Sequence, residues 1–218
     1  MAREHYDQQL RGLQDDLLRL ASLVESAVAR SITALQNQDI EAARQIIAED
    51  DIIDRRQYAL EDKALLLIAR QAPMAADLRM ISAVISIASE LERIGDYAEG
   101  IAKITIRGAS EPLLTSLGDL PRMAEQALRM LREALDAFVS RDIAAARRLA
   151  TDDNEIDSLT SRIQDDLLGH MLRDPRTIER AIHLIFVAHN VERVADRTTN
   201  IAERLIFLVT GEIVDLND

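Results

Sequence analysis

The sequence predicts an all-α protein built as a tandem repeat of two antiparallel three-helix bundles. Three observations carry that expectation. Apolar residues recur at steps of three and four over long stretches, and no run of alternating β-branched residues reads as a strand. Aromatic residues make up only 3% of the chain, and Gly (7) and Pro (4) are scarce, a composition that favours long helices. The second half also repeats the first: Leu91-Glu92-Arg93-Ile94-Gly95-Asp96 is matched by Val191-Glu192-Arg193-Val194-Ala195-Asp196, with Ile101-Ala102 matched by Ile201-Ala202.

The first helix is expected from Tyr6 to Leu35, with Leu10, Leu13, Leu17, Leu20, Val24, Val28, Ile32 and Leu35 on one stripe. Asn37-Gln38-Asp39 interrupts it, and Asp39 suits the N-cap of a second helix running from Ile40 to about Arg70. Ala72-Pro73 breaks the pattern, and Pro73 suits the first turn of a third helix that reaches about Ile106 and stops at Gly108. Glu111-Pro112 is expected to open a fourth helix continuing through Leu120, Met123, Leu131 and Phe138. Ser140-Arg141-Asp142 ends it and caps a fifth, which runs to about Arg173. Asp174-Pro175 then pairs an N-cap with a proline at the first position of a sixth helix, which ends near Val209 before Gly211. The repeats are therefore residues 1–109 and 110–218, joined by a short junction.

The 218-residue chain carries a net charge of −12, which opposes binding to a nucleic-acid backbone. It has no cysteine, which excludes disulfides, thiolate metal sites and cysteine nucleophiles. The first residues lack the apolar core of a signal peptide, and no apolar run approaches the roughly 18 residues that span a bilayer, so a cytoplasmic protein is expected.

Four acidic pairs at i,i+4 lie at equivalent repeat positions: Asp50/Asp54, Glu92/Asp96, Asp153/Asp157 and Glu192/Asp196. With 38 acidic residues in the chain, about six such pairs arise by chance, so a single pair is as well read as a solvated helix face. Three features favour a site. The pairs recur in both repeats. Like charges at this spacing destabilise a helix, and no Lys or Arg stands three or four residues from Asp54 or Asp157 to offset them. Arg93 and Arg193 could do so for Asp96 and Asp196. The third feature is register: in a hairpin turning at Pro73, Asp54 lies level with Glu92 and Asp50 with Asp96. In one turning between Asp174 and Pro175, Asp157 lies level with Glu192 and Asp153 with Asp196. Both sets would stand about 30 Å from their turns. Four carboxylates at one level repel unless they are protonated or neutralised, and a bound cation is the simplest remedy. Oxygen donors without thiolate suit Mg²⁺, Ca²⁺, Mn²⁺ or iron. Gly95, matched in the second repeat by the small Ala195, would leave room either for tight helix packing or for a ligand.

His189, three residues before Glu192, could complete a metal shell or serve as a core or a hydrogen-bonded histidine. Ser89 holds its place in the first repeat, and His5, His170 and His183 follow no repeat logic. The duplicated Glu-x-x-His of di-iron bundles is absent, as are a Gly-rich phosphate loop and Gly-x-Ser-x-Gly, so the sequence lends catalysis no support.

These residues resemble the PhoU family of phosphate-signalling regulators over essentially the whole chain. The resemblance rests on the duplicated Glu-Arg-(Ile/Val)-(Gly/Ala)-Asp motifs, the Asp-x-x-x-Asp pairs upstream, the Asp174-Pro175 turn and the closing Leu208-Val209-Thr210-Gly211-Glu212-Ile213-Val214. It implies a tandem of three-helix bundles whose (Glu/Asp)-x-x-x-Asp motifs hold multinuclear metal sites, commonly iron, zinc or other divalent ions. On this sequence those motifs fall on the eight carboxylates named above. It further implies a homodimeric, non-enzymatic adaptor reaching the membrane through its partners. Those partners would be the ATPase subunit of the phosphate ABC transporter and a sensor histidine kinase, and the adaptor would repress the phosphate-starvation response when phosphate is plentiful. Asn154 departs from the acid at Asp51, which would make the two sites unequal. The competing readings are a metal-dependent hydrolase with a carboxylate-bound cluster and a purely structural bundle.

Overall fold

The computed structural model describes residues 2–114 and 117–216. Six helices follow one another: α1 (Ala2–Asn37), α2 (Ile40–Gln71), α3 (Ala75–Gly108), α4 (Leu120–Ser140), α5 (Ile143–Arg173) and α6 (Ile178–Thr210). A 3-10 turn, Pro175–Thr177, leads into α6. No strand occurs among the described residues, and no helix among them is long and apolar enough to cross a membrane.

The duplication extends to the turns. Gln38 and Arg141 take left-handed backbone, with φ of 50° and 58°. Each lets the next residue close the preceding helix: Asp39 N donates to Ala34 O at 2.9 Å, and Asp142 N to Ala137 O at 3.0 Å. The same two aspartates cap the helices that follow, with side chains accepting from Ala42 N and Ala145 N at 3.0 Å. The α2–α3 turn uses Ala72, another left-handed residue, whose N–H reaches Ile68 O. Asp174 caps the 3-10 turn by accepting from Arg176 N at 3.1 Å.

Two expectations are corrected. Pro73 lies in the turn itself, because α3 starts at Ala75 with Met74 as its N-cap residue. The fourth helix starts at Leu120 and not at Glu111-Pro112. Gly118, at φ 55°, breaks the path, and Pro121 supplies the first-turn proline that Pro112 was expected to provide. The junction between α3 and α4 is therefore not helical over its described residues, 109–114 and 117–119. It is tied down by Gln38 Nε2 donating to Glu111 O at 2.7 Å, by an Arg180–Glu111 ion pair at 3.0 Å and by Arg180 donating to Pro112 O.

Within each repeat the three helices pack on one another, and the repeats join through α3 on α6 and α1 on α4. The α3–α6 contact is as extensive as those within a repeat. The two helices run antiparallel: Gly100 faces Asn190, while Glu90 accepts from Asn200 Nδ2 at 3.1 Å. At Gly100 the approach is close: a Cβ there would stand 3.0 Å from Asn190 Nδ2. One apolar cluster consequently draws on all six helices, with Leu17, Leu91, Ile94, Leu131, Phe138 and Val191 among its buried members.

A continuous core predicts that both repeats unfold together. Leu91→Ala should lower stability by about 2–5 kcal/mol and shift one cooperative melting transition as a whole. Leu168→Ala, at a side chain 52% exposed, should change it by no more than about 0.5 kcal/mol. A calorimetric melt that splits into two transitions in Leu91→Ala would contradict a shared core.

Candidate metal centre

The α2–α3 hairpin brings the first four acids together. Asp54 lies close enough to raise the pKa of Asp50, Glu92 and Asp96 by repulsion. The α5–α6 hairpin does the same for the second four. Asp153 feels Asp196, Asp157 and Glu192, and Asp157 feels Asp196. All eight predicted residues thus fall in two clusters, one per repeat, at the levels the turn positions imply.

Burial sets the electrostatics. Desolvation pushes Asp50 up to about 7, with further repulsion from Glu99, Asp54 and Asp96 and an opposing pull from Lys103. Asp153, only 7% exposed, is likewise pushed up to about 7, first by burial and then by its three acidic neighbours. Burial also raises Glu92, Asp96 and Asp157. One carboxylate oxygen in each cluster, Asp54 Oδ1 and Asp153 Oδ1, is buried without a hydrogen-bond partner. Asp96 and Asp157 lie at the exposed edge, so each cluster opens to solvent.

Orphaned oxygens, raised pKa values and an all-oxygen donor set fit a hard cation. The arrangement does not hold one as it stands: among the described residues no group of three or more His, Cys, Asp or Glu side chains is set to grip an ion.

The clusters differ in ways the motifs alone did not reveal. Glu99 adds a fifth carboxylate to the first, acting on both Asp50 and Asp96, and it is paired with Lys103 at 2.5 Å. Its counterpart, Thr199, is buried and donates to Asp196 O at 2.7 Å. The expected difference at Asp51 and Asn154 lies outside the clusters. Both residues are exposed, and Asn154 Nδ2 turns back to Ala150 O at 2.9 Å. In the second cluster Arg193 Nη1 pairs with Asp196 Oδ2 at 2.6 Å, whereas Arg93 acts on Glu92 and Asp96 without forming an ion pair among the described residues. Of the alternatives for His189, the core position is corrected and the hydrogen-bonded one is met. Its side chain is 55% exposed, and Nδ1 stands 3.3 Å from Glu192 Oε2.

Gly95 supports close packing. A Cβ there would stand 3.2 Å from Ile53 side-chain carbons and 3.4 Å from Asp50 Oδ1. It also forms part of the wall of a cavity of about 300 Å³ that reaches Asp50 and is lined by Arg30, Glu49 and Ser26.

A polar network lies between the clusters on the α3–α6 seam. Burial would raise the pKa of Tyr97, but the neighbouring Arg193 and Arg197 guanidiniums outweigh it and lower it. Arg197 also reaches Glu90 Oε2 at 3.4 Å, the same oxygen that accepts from Asn200.

A model of the PhoU domain matches residues 17–105 and again 120–205. The chain belongs to the PhoU domain family. It is 38% identical over 219 residues to the phosphate-specific transport system accessory protein PhoU homolog of Clostridium acetobutylicum, covering 100% of both chains. It is 32% identical to the phosphate-specific transport system accessory protein PhoU of Escherichia coli strain K12, over 95% of this chain and 86% of that one. Crystal structures share the fold. PhoU from Pseudomonas aeruginosa superposes with a TM-score of 0.90 at 31% identity, covering 95% of this chain and 100% of the other. The phosphate transport system regulatory protein PhoU from Streptococcus pneumoniae gives 0.89 at 32% identity, covering 96% and 99%.

The raised carboxyls make stability depend on pH. They bind protons more tightly folded than unfolded, so their contribution is complete below the ordinary carboxylate value of 3.8 and is lost as pH rises through about 7. In chelator, the melting temperature should therefore be higher at about pH 5.5 than at about pH 8. Asp50→Asn with Asp153→Asn should flatten that slope, which differential scanning calorimetry would read.

Proposed function

We propose that this chain is an accessory protein of a phosphate transport system. In this reading it is a non-enzymatic regulatory adaptor that binds divalent or iron-type cations on its two carboxylate clusters. The observation that carries the reading is similarity along the full length of the chain to relatives named as phosphate-specific transport system accessory proteins. The finer reading follows the family resemblance: a cytoplasmic negative regulator of the phosphate-starvation response, acting with the transporter's ATPase subunit and a sensor histidine kinase. Homodimer formation belongs to the same reading.

The division of labour among the residues follows from their placement. Asp50, Asp54, Glu92 and Asp96 would hold cation in the first repeat, and Asp153, Asp157, Glu192 and Asp196 in the second. A bound cation supplies positive charge that neutralises these acids. The buried oxygens of Asp54 and Asp153 give it its least solvated donors. Because each cluster joins two helices of a hairpin, occupancy would stiffen the α2–α3 and α5–α6 pairs and fix the surface they offer to a partner. The hydrolase reading has one observation in its favour, the cavity beside Asp50. Its guanidinium, Arg30, is already paired with Glu49, which weakens it as an anchor for an anionic substrate.

Two experiments test the reading. A divalent cation should raise the melting temperature and chelation should lower it, since the unfolded chain has no preformed site. Glu92→Gln with Asp96→Asn should reduce that sensitivity while relieving repulsion. Protein that carries no metal in elemental analysis and melts identically with and without chelator would overturn cation binding. In cells, deletion of the gene should leave phosphate-starvation genes expressed in high phosphate. Reporter expression that stays repressed in the deletion strain would overturn negative regulation.

A further inference from the structure

The exposed side of the α5–α6 hairpin is apolar in a way that folding does not require. Ile178, Ile182 and Phe186 recur every four residues along α6, and all three are exposed. Leu168 and Leu172 are exposed on α5, and a turn between Asp174 and Pro175 sets them near the levels of Ile182 and Ile178. The duplication supplies an internal control. The first repeat carries Ser82, Ser86 and Ala69 where the second carries Ile182, Phe186 and Leu172. The bundle therefore folds with small or polar residues at these places, yet in the second repeat it leaves a phenylalanine 55% exposed. Clustered apolar side chains on a surface mark a contact with something else.

Charge identifies the occupant. The apolar run is bracketed by Arg176 and Glu179 at one end and by His189 and Glu192 at the other. When two copies of α6 lie antiparallel about a two-fold axis at the level of Leu184, Ile182 of one stands opposite Phe186 of the other. The same register sets Glu179 opposite His189 and Arg176 opposite Glu192. Arg176 already holds Asp174 at 3.0 Å through Nε and Nη2, which leaves Nη1 for a second acid. The remaining charges on this stretch do not oppose the pairing. Arg180 is turned to Glu111, His183 falls opposite Ile185, and Arg193 falls opposite Pro175 while staying on Asp196. The run is thus its own complement when reversed, which is what an isologous contact needs. We propose that two copies of this chain pair through the exposed face of α6, antiparallel and in this register. The inference rests on the homodimer reading above and names its surface.

The test uses the full-length chain in analytical ultracentrifugation. At about 100 µM, where a contact with a Kd of about 10 µM is mostly paired, the wild type should sediment as a dimer. Ile182→Ser with Phe186→Ser installs the residues that the first repeat already carries. It should loosen the dimer by about 100-fold and yield monomer whose helix content by circular dichroism is unchanged. Leu65→Ser with Leu78→Ser, at exposed positions of the first hairpin, should leave the dimer in place. The chain has no cysteine, so disulfide trapping reads the register without background. Glu179→Cys with His189→Cys should cross-link two copies on oxidation. Either substitution alone should not, because identical positions then lie about 15 Å apart along the paired helices, beyond the reach of a disulfide. A dimer that survives Ile182→Ser with Phe186→Ser, that the double cysteine variant fails to trap, or that a single cysteine traps equally well would overturn this surface and leave the homodimer standing. Monomeric wild-type protein would overturn both.

Discussion

The close antiparallel packing of α3 on α6 is the constraint from which the rest of the architecture follows. Gly100 leaves space for Asn190, whose amide nitrogen lies 3.0 Å from where a Cβ would stand. Neither repeat could close its core alone without exposing the apolar face of its third helix. The joined core fixes the height of each hairpin and hence of each carboxylate cluster. It also brings Tyr97, Arg193, Arg197 and Glu90 from different repeats into one network.

The clusters work against the stability this packing provides. Asp153 is buried with an unpartnered oxygen among three other acids, and Asp50 is held up to about 7 in similar company. A protein selected only for stability would replace these residues with apolar ones of similar size. Their presence at matching positions of two hairpins is what motivates the cation proposed above. Ions or protons would then act as part of the folding equilibrium and not as additions to a finished structure.

The carboxylate clusters were legible in the sequence because each lies within a single hairpin. Once Pro73 and Asp174-Pro175 mark the turns, the register of Asp54 against Glu92 and of Asp157 against Glu192 follows from helix geometry. The start of α4 was not legible, because Pro112 and Pro121 both suit a first turn and only the left-handed backbone at Gly118 decides between them. Glu99 escaped because it stands three residues after Asp96, outside the i,i+4 pattern that marked the other acids. The seam network escaped for a deeper reason. Tyr97 and Arg193 are brought together by packing between repeats, and no turn between them sets their register.

The α3–α6 seam also shows what covalent fusion of the repeats makes available. Positions 97 and 197 are equivalent in the duplication, yet one is Tyr and the other Arg. Were two copies of the second repeat to pair symmetrically in the same way, Arg193 would meet an arginine where it now meets Tyr97, and guanidiniums would crowd the axis twice over. Two copies of the first would keep the tyrosine contacts but lose Arg197, the partner of Glu90. The observed seam needs one of each. A single chain can hold such a mismatched pair because its halves mutate independently, whereas a symmetric dimer of one repeat would copy every change to both sides. Duplication followed by fusion thus converts an axis of symmetry into a boundary between two halves free to acquire different chemistry.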